Sequence, residues 1–289
     1  PGLGPDDLGQ GRVCQQRGRQ GGQVARGGIL LRVIVAGGVD EPRVLKAKTA
    51  AQIVHRGDER GPRGIGVGGI AAADLPLDYR SRGKLASASC CGTFDGAVEA
   101  AMMARIDAAK AAGDSLGGVV EVVVLGVPVG LGSYVHWDRK LDARLAAAVM
   151  SIQAFKGVEF GLGFGAARLP GSQVHDEIGY REGRFIRFSN RAGGVEGGMT
   201  SGEPVILRGA MKPIPTLYRP LRTVDLVTKE IHEASVERSD VCAVAAAAVT
   251  AEAVVAIEMS QAVLEKFGGD SMEEVAANLA AYRKYVEEL

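Results

Sequence analysis

The sequence predicts a fold that mixes helices and strands, and three observations support this prediction. Apolar residues recur at helical spacing in residues 94–112 and 140–154. A valine-rich run at residues 119–125 has the composition of a strand. An alanine-rich stretch at residues 242–267 is strongly helix-forming. Neither an internal repeat nor a heptad run is found, so a solenoid and a coiled coil are not predicted.

The predicted elements follow in a simple order. The first helix ends at Gly113-Asp114, before the valine-rich strand and a glycine-rich turn at 128–133. The second helix is followed, after a long interval, by a short apolar run at 204–207. The last helix begins at the capping box Ser271-x-x-Glu274. The predicted apolar faces of the first, second and last helices are Val98, Met102, Ile106 and Ala109; Leu141, Leu145, Ala148 and Ile152; and Val275, Leu279, Tyr282 and Val286.

Composition limits the class of protein. The chain has 289 residues, of which 46% are hydrophobic, enough to bury a sizeable core. Its 34 basic and 34 acidic residues balance, which gives no reason to expect nucleic acid or an anionic membrane as a partner. The sequence lacks a run of 18 apolar residues and does not open on a signal-peptide pattern, so no transmembrane helix is predicted.

The cysteines do not indicate a metal site. None of them forms a CxxC pair with metal-ligand spacing, so we interpret them as unpaired thiols of a cytoplasmic protein. They are Cys14, Cys90, Cys91 and Cys242.

The first 90 residues differ in character from the remainder. They carry 14 basic and 8 acidic residues and a single aromatic residue, Tyr79. A segment so rich in glycine and arginine cannot easily bury enough apolar area to offset its ordering entropy. Three interpretations stay open: a basic disordered extension, a small domain around the apolar run 29–36, and the product of a reading-frame error in a GC-rich gene. The predicted division is therefore 1–92 and 93–289.

Residues 187–217 contain the clearest functional pattern. Glycine pairs at 193–194 and 197–198 let the backbone approach a ligand closely and offer free N–H groups to an anion. The alternative interpretation is a pair of tight turns between strands. Further along, Lys212 stands beside two prolines that hold this cation on a stiff segment.

Two other segments also admit a functional and a structural interpretation. Residues 153–159 look like a helix end followed by glycine, in which Lys156 and Glu159 form an ion pair. Arg238 and Asp240 precede the alanine-rich helix, where the aspartate is a candidate N-cap.

Four blocks of the sequence closely resemble the chorismate synthase family. They are residues 113–133, 151–164, 187–217 and 237–256, and their order and spacing also agree with the family. The resemblance extends from about Thr93 to Leu289. The family's first-half motifs, a GxSHG-like start and a PGHAD-like block, are absent from the first 90 residues, and for this reason we favour the reading-frame interpretation.

The resemblance implies which residues contact a flavin mononucleotide. It implies one catalytic residue, Asp240, close to the reactive nitrogen of the flavin. Val241 departs from the family's RxDPC pattern, which has proline there, and we interpret this as a minor change to the turn. We interpret His136 and His175 as structural or subunit-contacting, because the family's catalytic histidines belong to the absent blocks. The implied cofactor-binding residues are Gln153, Ala154, Gly197, Lys212, Pro213, Ile214, Pro215, Thr216 and Arg238.

The implied reaction is a 1,4-elimination that converts 5-enolpyruvylshikimate 3-phosphate to chorismate with reduced FMN as cofactor. The resemblance also implies a homotetramer and an α+β sandwich in which antiparallel sheets enclose the helices, with an N-terminal part that is incomplete or disordered.

The absent blocks leave open a truncated or degenerate homologue that is inactive and keeps part of the flavin site. A flavin oxidoreductase and an unrelated nucleotide-binding protein are disfavoured, because neither a strand-GxGxxG-helix unit nor a GxxxxGK[ST] motif occurs. The source of the reducing electrons, external or a nicotinamide bound by the protein, stays open.

Overall fold

The fold is organised around a six-stranded antiparallel sheet. A computed structural model describes residues 50–52, 66–71, 85–86 and 88–289. The central strand of the sheet, β4 (Gly118–Val124), pairs along its whole length with β10 (Val205–Met211). β10 pairs on its other edge with β5 (Phe155–Phe160). The predicted valine-rich strand and the apolar run at 204–207 therefore lie side by side.

The free edge of β4 is completed by residues from the N-terminal part of the chain. β1 (Ala50–Gln52) and β2 (Gly66–Val67) pair with different segments of β4, and β2 continues to β3 (Ile70–Ala71). Strands from both sides of the predicted boundary at residue 92 thus share one sheet. The apolar run at 29–36 lies outside the described residues.

Helices lie on one face of this sheet. The longest, α3, packs against β4 and against α2, which also contacts β5, while α4 packs on α3 and α1 on β2 and β3. Their bounds are α1 Gly96–Ala111, α2 Leu141–Met150, α3 Val244–Phe267 and α4 Met272–Glu287.

Local signals explain where most of these helices begin and end. The carboxylate of Asp95 accepts hydrogen bonds from the backbone N–H groups of Ala97 and Val98, which caps α1. The predicted capping box of Ser271 and Glu274 is confirmed at the start of α4. Helical spacing predicted the second helix as far as residue 154, but α2 ends at Met150 and the chain turns before β5.

Three two-stranded hairpins complete the described strands. They are β6 (Ile178–Arg181) with β7 (Arg184–Arg187), β8 (Val195–Glu196) with β9 (Met199–Thr200), and β11 (Arg222–Val224) with β12 (Ile231–Glu233). The predicted α+β class is confirmed, because the strands pair antiparallel and the helices are segregated to one face of the central sheet.

The core lies between the sheet and the helices. Alternate residues of each strand point to the same face, so one apolar set per strand reaches this core. A fully buried aliphatic side chain contributes about 1.5–3 kcal/mol relative to an exposed one. The buried residues include Val120, Val122 and Val124 of β4, Val205 and Leu207 of β10, Leu141, Leu145 and Val149 of α2, Ala251, Val255 and Met259 of α3, and Val275 and Leu279 of α4.

One helix among the described residues, α3, is long and apolar enough by length and composition to cross a membrane. This is weak support for a span, because the core helix of a soluble protein meets the same two criteria. Packing accounts for its apolar character, since Ala251 and Val255 are fully buried against the core.

The opposite face of the sheet contains a network of charged side chains. Arg208 of β10 lies between two carboxylates: its Nε is 3.2 Å from Glu121 Oε2 and its Nη1 is 2.6 Å from Glu159 Oε1. The Glu121 side chain is only 7% exposed. The predicted pair of Lys156 and Glu159 was wrong, because residues three apart in a strand point to opposite faces.

Candidate functional site

Three of the predicted site segments meet where β10 leaves the sheet. The backbone N–H of Lys212 donates to the carbonyl of Ala154 at 2.9 Å. The carbonyl of Thr216 accepts a hydrogen bond from Ser239 Oγ at 2.8 Å. Residues 153–154, 212–216 and 238–240, here called the lysine–proline cluster, are therefore contiguous in space although they are far apart in sequence.

The strand ends here for reasons that are visible in the sequence. The pairing of β10 with β5 shifts register between Ala210 and Met211, and Pro213 then offers no N–H to continue a ladder. Pro213 and Pro215 fix the backbone of the segment that follows. This segment therefore runs along the surface as a stiff, extended piece outside the sheet.

The cluster combines charged side chains with apolar ones. Lys212, Arg238 and Asp240 are exposed, and so is the amide side chain of Gln153. The two prolines are exposed as well, whereas the remaining members, Ala154, Ile214 and Thr216, are half-buried. Exposed cations such as Lys212 and Arg238 can form charge-assisted hydrogen bonds with an anionic group.

Ala154 is one of three described non-glycine residues with a left-handed backbone, at φ 70°. An L-residue in this region is disfavoured by about 1–2 kcal/mol, because its Cβ crowds the following carbonyl. The hydrogen bond from Lys212 to the Ala154 carbonyl helps to hold this conformation. Strained backbone of this kind often occurs at functional sites, but contact between Ala154 and a ligand stays a prediction.

A strip of chain from Gly113 to Gly118 lies behind the cluster. Ser115 Oγ donates to the carbonyl of Ile214 at 2.6 Å, and the Arg219 N–H donates to the carbonyl of Gly113 at 2.9 Å. Gly117 packs directly on the backbone of residues 211–213. These residues were not among the predicted site residues, although the block that contains them was part of the resemblance.

Gly197 does not join the lysine–proline cluster. It lies exposed in the turn between β8 and β9, and the carbonyl of its neighbour Gly198 accepts from the N–H of Leu141 at the start of α2. Ala154 follows the other end of α2, and a ten-residue helix is about 15 Å long. Contact between Gly197 and a flavin stays a prediction.

Glycines 193 and 194 serve the packing of the backbone. Gly193, at φ 73°, packs on Gly161 and on the carbonyl of Ile206, and Gly194, at φ 81°, packs on the carbonyl of Pro204. A side chain at either position would collide with main chain that β10 holds in place. For Gly193 and Gly194, the alternative interpretation, a tight turn between strands, therefore describes the observed geometry.

Asp240 does not cap the alanine-rich helix. α3 begins at Val244, and its N-cap residue, Ala243, makes no side-chain hydrogen bond. The capping interpretation of Asp240 was therefore wrong, and its carboxylate stands exposed beside Ser239.

The described cysteines, Cys90, Cys91 and Cys242, do not form disulfides, and Cys14 lies outside the described residues. Burial raises the pKa of the Cys242 thiol above its usual value, although a backbone hydrogen bond with Val244 opposes the shift. Over the part of the chain that the structure describes, His, Cys, Asp and Glu do not form a group able to hold a metal ion.

The two histidines that the sequence analysis considered, His136 and His175, lie outside the lysine–proline cluster. His136 is exposed, and its Nδ1 is 2.9 Å from Asp138 Oδ1. His175 is exposed on the segment that leads to β6. Neither contacts the segments that form the lysine–proline cluster.

Asp176, which was not among the predicted site residues, organises the loop before the glycine pairs. Its Oδ1 accepts from Ser189 Oγ and from the N–H of Arg191, and its Oδ2 accepts from the N–H of Ala192 at 2.9 Å. Burial acts to raise the pKa of Asp176, but these hydrogen bonds and the charge of Arg187 outweigh it and hold the pKa below its usual range. The carboxylate is therefore ionised at neutral pH.

We expect the substitution Asp176→Asn to lower the free energy of unfolding by about 1–2 kcal/mol at pH 7, because an amide N–H₂ replaces one acceptor oxygen. Since the pKa of Asp176 is lower in the folded state, the stabilisation by its carboxylate is fully present above the unfolded pKa of about 3.9. This stabilisation is lost as pH falls through the folded pKa. Urea unfolding between pH 3 and pH 7 measures this. The control is Asp225→Asn, which changes a fully exposed aspartate that also accepts two backbone N–H groups. If the difference in unfolding free energy between Asp176→Asn and wild type did not shrink below about pH 4, the assignment would be contradicted.

Comparisons with known proteins agree with this fold and identify the family. The profile of the chorismate synthase family matches residues 27–264, so the match begins upstream of Thr93, where the resemblance was predicted to start. A chorismate synthase of Syntrophotalea carbinolica is 67% identical over 221 residues, which are 76% of this chain and 57% of that protein. One from Geobacter sulfurreducens is 62% identical, over 76% of this chain and 58% of its own length.

A solved structure points the same way. A crystal structure of a chorismate synthase matches with a TM-score of 0.62 and 44% identity, covering 73% of this chain and 55% of its own. The fold defines an α+β protein, and its lysine–proline cluster exposes two cations, Lys212 and Arg238. The chain belongs to the chorismate synthase family, and it spans somewhat more than half the length of the curated relatives it matches.

Proposed function

We propose that this protein acts as a chorismate synthase, using reduced FMN to convert 5-enolpyruvylshikimate 3-phosphate to chorismate. The observation that supports this most directly is the lysine–proline cluster. Three segments separated by up to 87 positions, from Gln153 to Asp240, are joined by backbone and hydroxyl hydrogen bonds. They are the segments in which the family resemblance places most of the flavin contacts.

The residues present fit a flavin mononucleotide. The cations Lys212 and Arg238 suit its phosphate, because charge-assisted hydrogen bonds to phosphate are the strong ones. Pro213, Pro215 and the partly buried Ile214 offer apolar surface to a planar ring. We place Gln153, Ala154 and Thr216 beside this ring, and we retain Gly197 from the resemblance alone.

The proposed reaction breaks one C–O bond and one C–H bond of the substrate. Phosphate and a ring proton leave, and a new double bond forms. The conversion of substrate to product involves no net oxidation or reduction. A bound reduced flavin supplies transient electron donation that helps phosphate to depart. In this proposal, which takes the place of Asp240 from the resemblance, its carboxylate would hold a proton near the flavin, while Arg238 and Lys212 would orient the anionic groups.

We further propose a cytoplasmic homo-oligomer, a tetramer by the resemblance. Hairpins β6–β7 and β11–β12 expose several large apolar side chains, and an isolated two-stranded hairpin is only marginally stable in water. Leu226 and Val227, at the tip of β11–β12, are 84% and 88% exposed. Association would cover such side chains. The others are Ile178, Tyr180, Phe185, Val224 and Ile231.

The test is FMN binding by the full chain, followed by flavin fluorescence, with Lys212→Ala as the variant. We expect this variant to bind FMN about tenfold more weakly, because it loses a charge-assisted hydrogen bond. The matched control is Lys284→Ala, which removes an exposed lysine of α4 whose side chain is 77% exposed. Equal affinities of the two variants, or no binding by the unmodified chain, would contradict the proposed site.

Activity is measured separately, as chorismate formed anaerobically from the substrate with excess reduced FMN. Chorismate formation supports the proposal. FMN binding without any product would instead favour the inactive homologue that keeps part of the flavin site.

A further inference from the structure

We propose that Ser115 and Ser239 are positioning residues that hold the segment 212–216 in the shape that meets the flavin. This inference rests on the proposed flavin site and gives a role to the block at 113–118. Neither serine is among the residues that the resemblance implies for cofactor contact. Both act through the backbone of the segment and not through the ligand.

The two hydroxyls hold alternate carbonyls of the segment. Ser115 Oγ donates to the carbonyl of Ile214 at 2.6 Å, and Ser239 Oγ donates to the carbonyl of Thr216 at 2.8 Å. Pro213 and Pro215 have no N–H, so neither can donate a hydrogen bond to a strand ladder that would fix this segment. Side-chain donors from outside the segment take the place of that ladder.

The supports of the two serines are themselves joined. The N–H of Leu116 donates to the carbonyl of Val241 at 2.7 Å, and Leu116 forms a parallel bridge with Cys242. Ser115 is buried, at 6% exposure, so its hydroxyl is held in a fixed environment. The two hydroxyls therefore belong to one frame behind the segment.

Ser239 also sets the direction of its neighbours. Its side chain is half-buried and turns towards Thr216, whereas Arg238 and Asp240 on either side are exposed. One hydroxyl thus fixes the backbone from which the proposed phosphate-binding cation and the proposed catalytic carboxylate both project.

This arrangement reduces the cost of binding. A segment that is already fixed loses less conformational entropy when a ligand binds, so preorganisation appears as affinity. Removing either hydroxyl should leave the side chains that meet the flavin in place but allow them more freedom.

The experiment compares Ser115→Ala and Ser239→Ala with Ser260→Ala in the full chain. Ser260 is a matched control, because its buried Oγ donates to the backbone carbonyl of Ala256 at 2.6 Å on α3. Amide hydrogen exchange of residues 211–217 reports the positioning without any ligand. Fluorescence titration with FMN reports its consequence.

We expect exchange in 211–217 to become about tenfold faster in both site variants, and FMN affinity to fall about fivefold, since one net hydrogen bond is lost in each. Ser260→Ala should change neither. Ser239→Thr keeps the hydroxyl and should restore both readings. If Ser115→Ala fails to fold, Ser239→Ala and its threonine counterpart still decide the matter.

Exchange and affinity that match the Ser260→Ala values would overturn the proposal. Faster exchange with unchanged FMN affinity would overturn it too, because the positioning would then not serve the flavin. Absence of FMN binding by the unmodified chain would overturn the proposed function, while the exchange rates would still show whether the serines hold the segment.

Discussion

Replacing Arg208 by methionine is expected to lower the free energy of unfolding by about 3 kcal/mol. The guanidinium is the cation to which Glu121 on β4 and Glu159 on β5 are both hydrogen-bonded. It also donates to the carbonyl of Gly161. Methionine retains most of the aliphatic bulk but withdraws the charge and every one of these donors.

The size of this effect follows from burial. The Arg208 and Glu121 side chains are 22% and 7% exposed, so water cannot easily replace the lost contacts. Removing one partner of a buried ion pair typically costs more than the pair itself contributes, because a desolvated charge is left behind. The network joins three adjacent strands, so the loss of the Arg208 contacts weakens the central part of the sheet.

The control is Arg184→Met on the β6–β7 hairpin. Its side chain is 71% exposed and lies 4.0 Å from Glu182, an arrangement that contributes at most about 1 kcal/mol. Urea unfolding monitored by circular dichroism measures both variants under the same conditions. Equal destabilisation of the two would show that the Arg208 network does not hold the sheet together.

A double-mutant cycle with Glu159→Gln refines the result. Neutralising Glu159 removes one of the charges that Arg208 compensates, so Glu159→Gln should cost less in the Arg208→Met background than alone. We expect a coupling energy of about 1 kcal/mol, since the residues are in direct contact. Additive costs would assign the effect of Arg208 to Glu121 and Gly161.

Local patterns in the sequence were enough to predict the helices and the central strand. The capping box of Ser271 and Glu274 lies within one turn, and the valine-rich composition of β4 belongs to the strand itself. Such signals need no knowledge of the rest of the fold. The end of α2 was predicted less well, because the left-handed backbone of Ala154 leaves no mark on apolar periodicity.

Contacts between distant segments could not be read in this way. The partner of Glu159 is Arg208, 49 positions away, and it is set by the register of β5 on β10. Ser115 meets Ile214 across 99 positions. Pairing partners of this kind depend on which strands become neighbours, and this property belongs to the whole fold.

The candidate site lies between these two cases. The family resemblance suggested its members, and the structure brings together the segments around Ala154, Lys212 and Arg238. It places Gly197 at the other end of α2, away from them. Neither motif spacing nor composition shows whether a glycine lies beside the other site residues or in a hairpin turn elsewhere.

Replacing Gly117 by alanine is expected to lower the free energy of unfolding by about 3 kcal/mol, at the upper end of the usual cost of overpacking. The added Cβ would overlap the carbonyl oxygen of Met211 and lie 2.9 Å from the carbonyl carbon of Lys212 and the nitrogen of Pro213. All three are backbone atoms, so no side-chain rotation relieves the overlap.

The backbone on both sides has little freedom to move apart. Pro213 has a fixed φ, and Lys212 is hydrogen-bonded to Ala154. On the other side, the carbonyl of Gly117 accepts from the N–H of Gly68 at 3.1 Å. Strain at this contact should therefore either open the edge of the sheet near β2 or push the lysine–proline cluster outward.

The control is Gly96→Ala at the start of α1, where an added Cβ meets no atom within 4 Å. Alanine favours helix there, so this variant should be neutral or more stable by up to about 1 kcal/mol.

Urea unfolding measures the stability of both variants, and hydrogen exchange in residues 211–217 shows whether the strain reaches the lysine–proline cluster. Faster exchange there, together with a large loss of stability in Gly117→Ala alone, would show that the strip behind the cluster supports the fold and the site through the same contact. A Gly117→Ala variant as stable as Gly96→Ala would instead mean that residues 211–213 can move aside, and that the cluster is not rigidly supported from behind.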